Sequence, residues 1–267
     1  MMSQQNEKLR PAPHLLFKLI TMMTFVLLFL PLMCMIVESV WVPIEGVAGP
    51  QEWSFKFYAK ILNDIVIYEA FVYSLLISLL STMGATLIGT MAAIAIERVE
   101  FPGKRFFVSL TMLPLVMPEL VMGLSLLLWF VFLKLTLGTL SIVLAHMTFC
   151  LSYVMIIVRA RLKNFDESLE EAARDLGANS IQVLLKVTLP LLAPGILAAA
   201  LMAFTLSFDD FLITFYTAGV GQTTLPVKIY SMIKIGIGPE IHALATLLFL
   251  LTSFVIILVF KPSQLKR

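Results

Sequence analysis

Charge is what this chain has least of. Lys, Arg, Asp and Glu make up 13% of its 267 residues, against roughly 25% in a soluble domain, while 60% are hydrophobic. So few polar groups cannot cover a water-exposed surface, and lipid is the solvent they imply. Membrane-spanning helices satisfy their backbone polar groups internally and need no large soluble core, so one membrane domain over residues 1–267 is expected. Cysteine is nearly absent. Cys34 and Cys150 both lie in apolar runs, so a disulfide framework has no support and the redox compartment stays open. A formal charge of +2 is too small to imply a nucleic-acid partner. No Gly-rich phosphate loop, metal-ligand cluster, low-complexity tract or clear internal repeat occurs, so the chain carries no nucleotide or metal site that its sequence can show.

Long apolar runs are abundant. A 30 Å hydrocarbon core needs about 20 apolar residues in a helix, and six stretches qualify: 15–37, 70–96, 106–133, 137–158, 191–213 and 241–260. The expected fold is an all-α, polytopic transmembrane bundle with both termini on one side. The first run exceeds a secretory leader and ends in Met35-Ile36-Val37-Glu38 without a small-x-small site, so it is expected to stay attached. With the termini inside, fourteen of the 19 basic residues face the cytoplasm: Lys8, Arg10, Lys18, Arg98, Lys104, Arg105, Arg159, Arg161, Lys163, Arg174, Lys186, Lys261, Lys266 and Arg267. Lys56, Lys60, Lys134, Lys228 and Lys234 lie outside. The excess of Lys and Arg predicts cytoplasmic termini.

Two outer segments exceed a simple turn. Residues 38–69 carry Trp41, Trp53, Phe55, Phe57 and Tyr58, aromatics suited to the membrane interface. Residues 216–240 mix Gly219, Gly221, Pro226, Gly236 and Gly238 with a short apolar piece. Each either meets an external partner or only anchors the bundle. In the second run Ser74, Ser78, Ser81, Ala85, Gly89 and Ala93 form a narrow stripe of small residues, which predicts close helix packing.

The longest polar stretch joins the fourth and fifth runs, within a loop over 161–190. It reads as a short amphipathic helix. Asp166 or Ser168 can cap it, Ser168 and Glu171 have capping-box spacing, and Gly177 suits a left-handed stop. Leu169, Ala172, Ala173 and Leu176 fall on one face. Asn179 or Ser180 then starts a second segment that runs into Leu189-Pro190, so the two make a protruding elbow.

Glu171-Ala172-Ala173, three residues, Gly177, nine residues and Val187-Thr188-Leu189-Pro190 resemble the signature loop of permeases in binding-protein-dependent ABC importers; Val187 stands where that family usually has isoleucine. The resemblance implies a type I importer fold and a coupling helix that docks in a groove of a cytoplasmic ATPase. Ala172 and Ala173 would permit close docking, Glu171 would supply a charged contact, Gly177 the elbow, and Leu176 and Pro190 belong to the same motif. Phe204-Thr-Leu-Ser-Phe-Asp-Asp210, Thr224-Leu-Pro-Val-Lys-Ile-Tyr230, Pro239-Glu-Ile-His-Ala-Leu-Ala245 and His146-Met-Thr-Phe-Cys150 resemble the spermidine/putrescine permeases in particular. Residues 1–68 match less distinctly. The implied partners are a cytoplasmic ATPase that binds ATP and Mg2+, a second related permease subunit, an external substrate-binding protein and membrane lipid. The implied location is the bacterial inner membrane, and the chain is a transport subunit without an enzyme activity or cofactor of its own.

Acidic groups in the membrane are costly and mark pathways or partners. Glu119 follows Pro114 and Pro118, which kink the third run; Asp209 and Asp210 sit in the outer third of the fifth; Glu240 follows Pro239 at the start of the sixth. Adjacent carboxylates favour a nearby cation, and ammonium groups also favour aromatic walls, for which Trp129, Phe208 and Tyr230 are available. Structural readings stand beside these. Asp209 and Asp210 can be hydrogen-bonded groups or sister-subunit contacts, Glu119 can pair with His146, Glu240 can simply favour a helix N-terminus, and His146 can be an interhelical hydrogen-bonder. Importers of other solutes are the near alternative: anions would want basic residues deep in the spans, where the five outer ones do not lie. A proton-coupled carrier would not need the elbow, and an intramembrane enzyme would need more than His146.

Overall fold

The computed structural model describes residues 13–43, 51–163 and 165–259. Lys8, Arg10, Lys261, Lys266 and Arg267 of the basic side, and Phe260 at the end of the sixth run, lie outside them. In chain order the elements are α1 (Pro13–Val40), β1 (Trp41–Pro43), β2 (Gln51–Trp53), α2 (Lys56–Leu62), α3 (Ile65–Arg98), α4 (Lys104–Val116), α5 (Glu119–Phe132) and α6 (Thr139–Leu162). There follow α7 (Ser168–Asp175), α8 (Ser180–Val183), a π-helical turn (Leu184–Thr188), α9 (Leu189–Asp209), α10 (Leu212–Thr217), α11 (Leu225–Ile235) and α12 (Pro239–Val259). Among the described residues the architecture is all-α apart from the three-residue antiparallel pair β1–β2.

Each apolar run is built as helix. Among the described residues, four helices are long and apolar enough to cross a membrane: Phe17–Val40, Ile65–Arg98, Thr139–Leu162 and Ser180–Asp209. The third run does not form one straight helix. It divides into α4 and α5, bent by 114°, because Met117 is forced into extended backbone (φ −71°, ψ 136°) ahead of Pro118. The expected proline kink is thus a full break. The fifth run also stops short of residue 213, since Asp210 is extended (ψ 127°) and the chain restarts as α10. The sixth run lies in α12, whose apolar stretch Pro239–Phe254 is shorter.

The chain divides into two compact units, Met1–Ile65 with Met232–Arg267, and Val66–Ser231. In the first, α12 packs against α1 and α2. Trp41 and Trp53 pair across β1–β2, their rings edge-on at 4.8 Å, and Ser39 Oγ bonds both Ile36 O and Tyr58 Oη at 2.6 Å. The apolar window of α1 has no buried residue in the structure, as expected where lipid or another chain supplies the contacts.

The second unit is organised around α6, 56% of whose apolar window is buried. Its core joins Ala85, Ala93 and Ile96 of α3, Met122 and Phe130 of α5, Val154, Met155 and Val158 of α6, Leu192, Ala199 and Ala203 of α9, and Ile213 of α10. The small-residue stripe of α3 is buried, and it faces α6: a Cβ at Gly89 would stand 2.8 Å from Val154 Cγ1. That close approach replaces side-chain volume with backbone contact, the packing mode favoured where lipid supplies no hydrophobic drive.

Candidate functional site

The elbow between α6 and α9 forms where the local signals place it. Asp166 Oδ1 accepts from Ser168 N at 3.0 Å and opens α7; hydrogen bonding from the Ser168 side chain, and then from its backbone, holds the Asp166 carboxyl below its ordinary pKa. The Ser168–Glu171 capping box is not made: the N-cap position is Glu167, without a side-chain cap. Gly177 closes the helix at φ +87°, with nothing within 4 Å of where a Cβ would stand, a conformation that glycine adopts without the penalty other residues meet. Asn179 and Gln182 then form a reciprocal capping box, both bonds 2.9 Å. From Ser180 the helical path continues through α8 and the π-helical turn into α9, a single run of 30 residues to Asp209. The second arm of the elbow is therefore the membrane helix itself.

The two faces of α7 differ sharply. Glu171, Ala172 and Gly177 are exposed, Ala173 is half-buried, and Leu176 is 89% exposed; Pro190 at the head of α9 is also exposed. The opposite face turns Glu170 inward, where it is buried. Its Oε1 accepts from Arg98 Nη2 at 3.0 Å and from Thr188 Oγ1 at 2.7 Å, and its Oε2 lies 3.5 Å from Arg174 Nη2. Arg98 also pairs with Glu167 and lies 5.6 Å from the ring centroid of Phe165. Sequence reasoning singled out Glu171 and missed Glu170, Arg98 and Thr188. The only local signal was the i, i+4 pair Glu170 and Arg174.

The intramembrane acids separate into three environments. Asp210 is buried: Oδ2 accepts from Thr214 N at 2.8 Å and Thr214 Oγ1 at 2.9 Å, and Oδ1 from Ile213 N at 3.3 Å, so it caps α10. His146 Nε2 stands 3.2 Å from Asp210 Oδ2 and 2.9 Å from Thr214 Oγ1, while Nδ1 bonds Ser207 Oγ at 2.7 Å. The buried partner of His146 is thus Asp210 rather than Glu119, and the cluster ties α6, α9 and α10 together. Asp209 and Glu119 are exposed, and their side chains have no hydrogen bond or ion pair among the described residues. Glu240 belongs to the other unit, where Lys60 Nζ bonds its Oε1 at 2.6 Å.

Glu119 and Asp209 stand at helix ends, the first residue of α5 and the last of α9. A Cβ at Gly123 would meet Tyr216, Ile213 and Leu212, and one at Gly219 would meet Leu137 beyond the end of α5, so α5 and α10 run side by side in the same direction. Glu119 opens α5 one turn before Gly123, whereas Asp209 is the last residue of α9, ahead of the extended Asp210. Trp129, 55% exposed, lies further along α5, stacked on Phe132 at 5.7 Å. Phe208 packs on Phe204 and Phe71, and Tyr230 on Phe211 at 4.5 Å.

Comparison places this helical membrane chain, with its exposed elbow continuous with one apolar helix, in a class. The chain belongs to the family of binding-protein-dependent transport system inner membrane components, whose model matches residues 85–263. It is thus a membrane subunit of a transport system rather than an enzyme. It is 38% identical over 230 residues to the spermidine/putrescine transport system permease protein PotC of Escherichia coli (strain K12), covering 86% of this chain and 87% of that one. It is 39% identical over 244 residues to the putrescine transport system permease protein PotI of the same strain, covering 86% and 84%. Among solved structures, a bacterial ABC transporter involved in the import of the acidic polysaccharide alginate has the same fold, with a TM-score of 0.74 at 16% identity over 94% of this chain and 96% of that one.

Proposed function

We propose that this chain is one permease subunit of an ATP-driven importer for polyamines, putrescine or spermidine or both. A single membrane domain of six spans, with the coupling loop 161–190 and both termini in the cytoplasm, lies in the bacterial inner membrane. ATP and Mg2+ are bound by a partner ATPase that grips the elbow; a second, related permease subunit completes the pathway, and an external binding protein delivers the substrate. Closure of the ATPase pair moves the elbow, and the cavity alternates between outward and inward access.

The observation that carries the substrate class is the presence of two exposed carboxylates without a side-chain partner, Glu119 at the start of α5 and Asp209 at the end of α9, in a chain 38 to 39% identical to permeases named for these amines. A linear diamine carries two separated positive charges, and separated acids match it better than an adjacent pair would. Trp129 offers a cation–π wall on the same helix. Asp210 and Glu240 already have protein partners, so they rank behind Glu119 and Asp209 as substrate contacts.

Reconstitution tests the reading. Labelled putrescine or spermidine is expected to enter vesicles only when the ATPase, the second permease, the loaded binding protein and ATP are all present. Glu171→Lys is expected to stop uptake without preventing membrane insertion. Uptake driven by a proton gradient in the absence of ATP would refute it and favour a secondary carrier.

A further inference from the structure

The elbow has a mechanical weakness that its sequence motif does not resolve. The covalent link between α7 and the α8–α9 arm passes through Gly177, whose backbone is left-handed and whose surroundings are empty within 4 Å of a Cβ position. A load applied to the exposed face of α7 would be absorbed by rotation at that joint unless a second connection bridged it. Glu170 supplies one. Its carboxylate accepts the hydroxyl of Thr188, 18 residues on, in the turn that leads into α9. The same oxygen accepts from Arg98, the last residue of α3, 72 residues earlier in the chain. Glu97, next to Arg98, is itself held by Arg159 Nε of α6 at 2.6 Å. A carboxylate is buried at such a place only when charge and hydrogen bonds compensate it, and here the compensating groups come from three separate elements.

We propose that Glu170 is the positioning residue that braces the elbow, closing the triangle between α7 and the head of α9 and joining both to the end of α3. Force from the ATPase then reaches α3 and α9 together rather than α9 alone. This rests on the reading of the elbow as an ATPase-docking element. It assigns a role to the buried face of α7, whereas docking uses the exposed face.

The test measures substrate taken up per ATP hydrolysed in the reconstituted complete transporter, for wild type, Glu170→Gln, Thr188→Val and the double variant. Thr188→Val keeps the side-chain shape and removes only the hydroxyl, so it reports even if Glu170→Gln assembles poorly. Each single variant is expected to lower uptake per ATP about tenfold while the ATPase still co-purifies, the scale of a lost hydrogen bond to a charged group. The double variant is expected to be no worse than the worse single one, because both break the same brace. Hydrogen exchange of the α7 amides is expected to quicken in all three. Unchanged uptake per ATP, strictly additive losses, or uptake and hydrolysis falling in proportion with loss of the ATPase would each overturn the brace while leaving the importer reading intact. Absence of ATP-dependent uptake in the wild type would overturn both.

Discussion

Asp209 and Asp210 are adjacent and chemically identical, and their surroundings assign them opposite phenotypes. The Asp210 side chain is 4% exposed and accepts from two backbone N–H groups and one hydroxyl, with His146 Nε2 at 3.2 Å. Alanine at 210 would leave the first turn of α10 uncapped and His146 facing a void. Removing one partner from a buried, hydrogen-bonded charged cluster costs about 3–5 kcal/mol. Asparagine keeps one carbonyl acceptor for Thr214 N but turns an amide donor toward other donors, so about 1–3 kcal/mol is expected. Asp209 makes no such bonds, and Asp209→Asn is expected to stay within about 0.5 kcal/mol of wild type. Thermal unfolding in lipid nanodiscs reads this out: at about 2–4 °C per kcal/mol, Asp210→Ala falls by about 10 °C while Asp209→Asn does not move. Uptake of labelled putrescine is the second readout, and Asp209→Asn is expected to lower it at unchanged stability. Equal melting shifts for the two asparagine variants, or a stable Asp210→Ala, would refute the separation of the buried, hydrogen-bonded acid from the exposed one.

Gly123→Val puts a branched side chain where a Cβ already comes within 3.0 Å of Tyr216 Cδ2 and 3.3 Å of the α10 backbone. An overpacking loss of about 1–3 kcal/mol is expected in the same melting assay. Gly177→Val meets no neighbour, so its cost is conformational, about 1–2 kcal/mol from the left-handed backbone alone, and it is expected to show as faster hydrogen exchange at the end of α7 with unchanged global melting. The cap of α7 should depend on pH. Because the folded Asp166 carboxyl titrates below its ordinary value of 3.8, its contribution is complete above that value and is lost as pH falls through the lower folded one. Exchange at the Ser168 amide is expected to be flat from pH 7 to about pH 5 after correction for intrinsic rates, and to rise only in stronger acid; a rise centred near pH 6 would contradict this.

What could be read from the chain alone is what depends on near neighbours along it. Apolar run length gives the helices, because the bilayer obliges each segment to satisfy its own backbone. Pro118 dictates the backbone of Met117, although the 114° turn it produces was legible only as a kink. Gly177 and the Asn179–Gln182 spacing mark the elbow because helix ends are decided within a few residues.

Tertiary structure alone decided which acids are free. Asp209 and Asp210 cannot be ranked without knowing that the chain turns extended at 210 and points one carboxylate at α10 and His146. Glu170 and Glu171 cannot be ranked without Arg98, 72 residues away. A buried charge is defined by partners from other elements, and the rotation of a helix that brings those partners to one of two adjacent residues is set by packing of the whole unit.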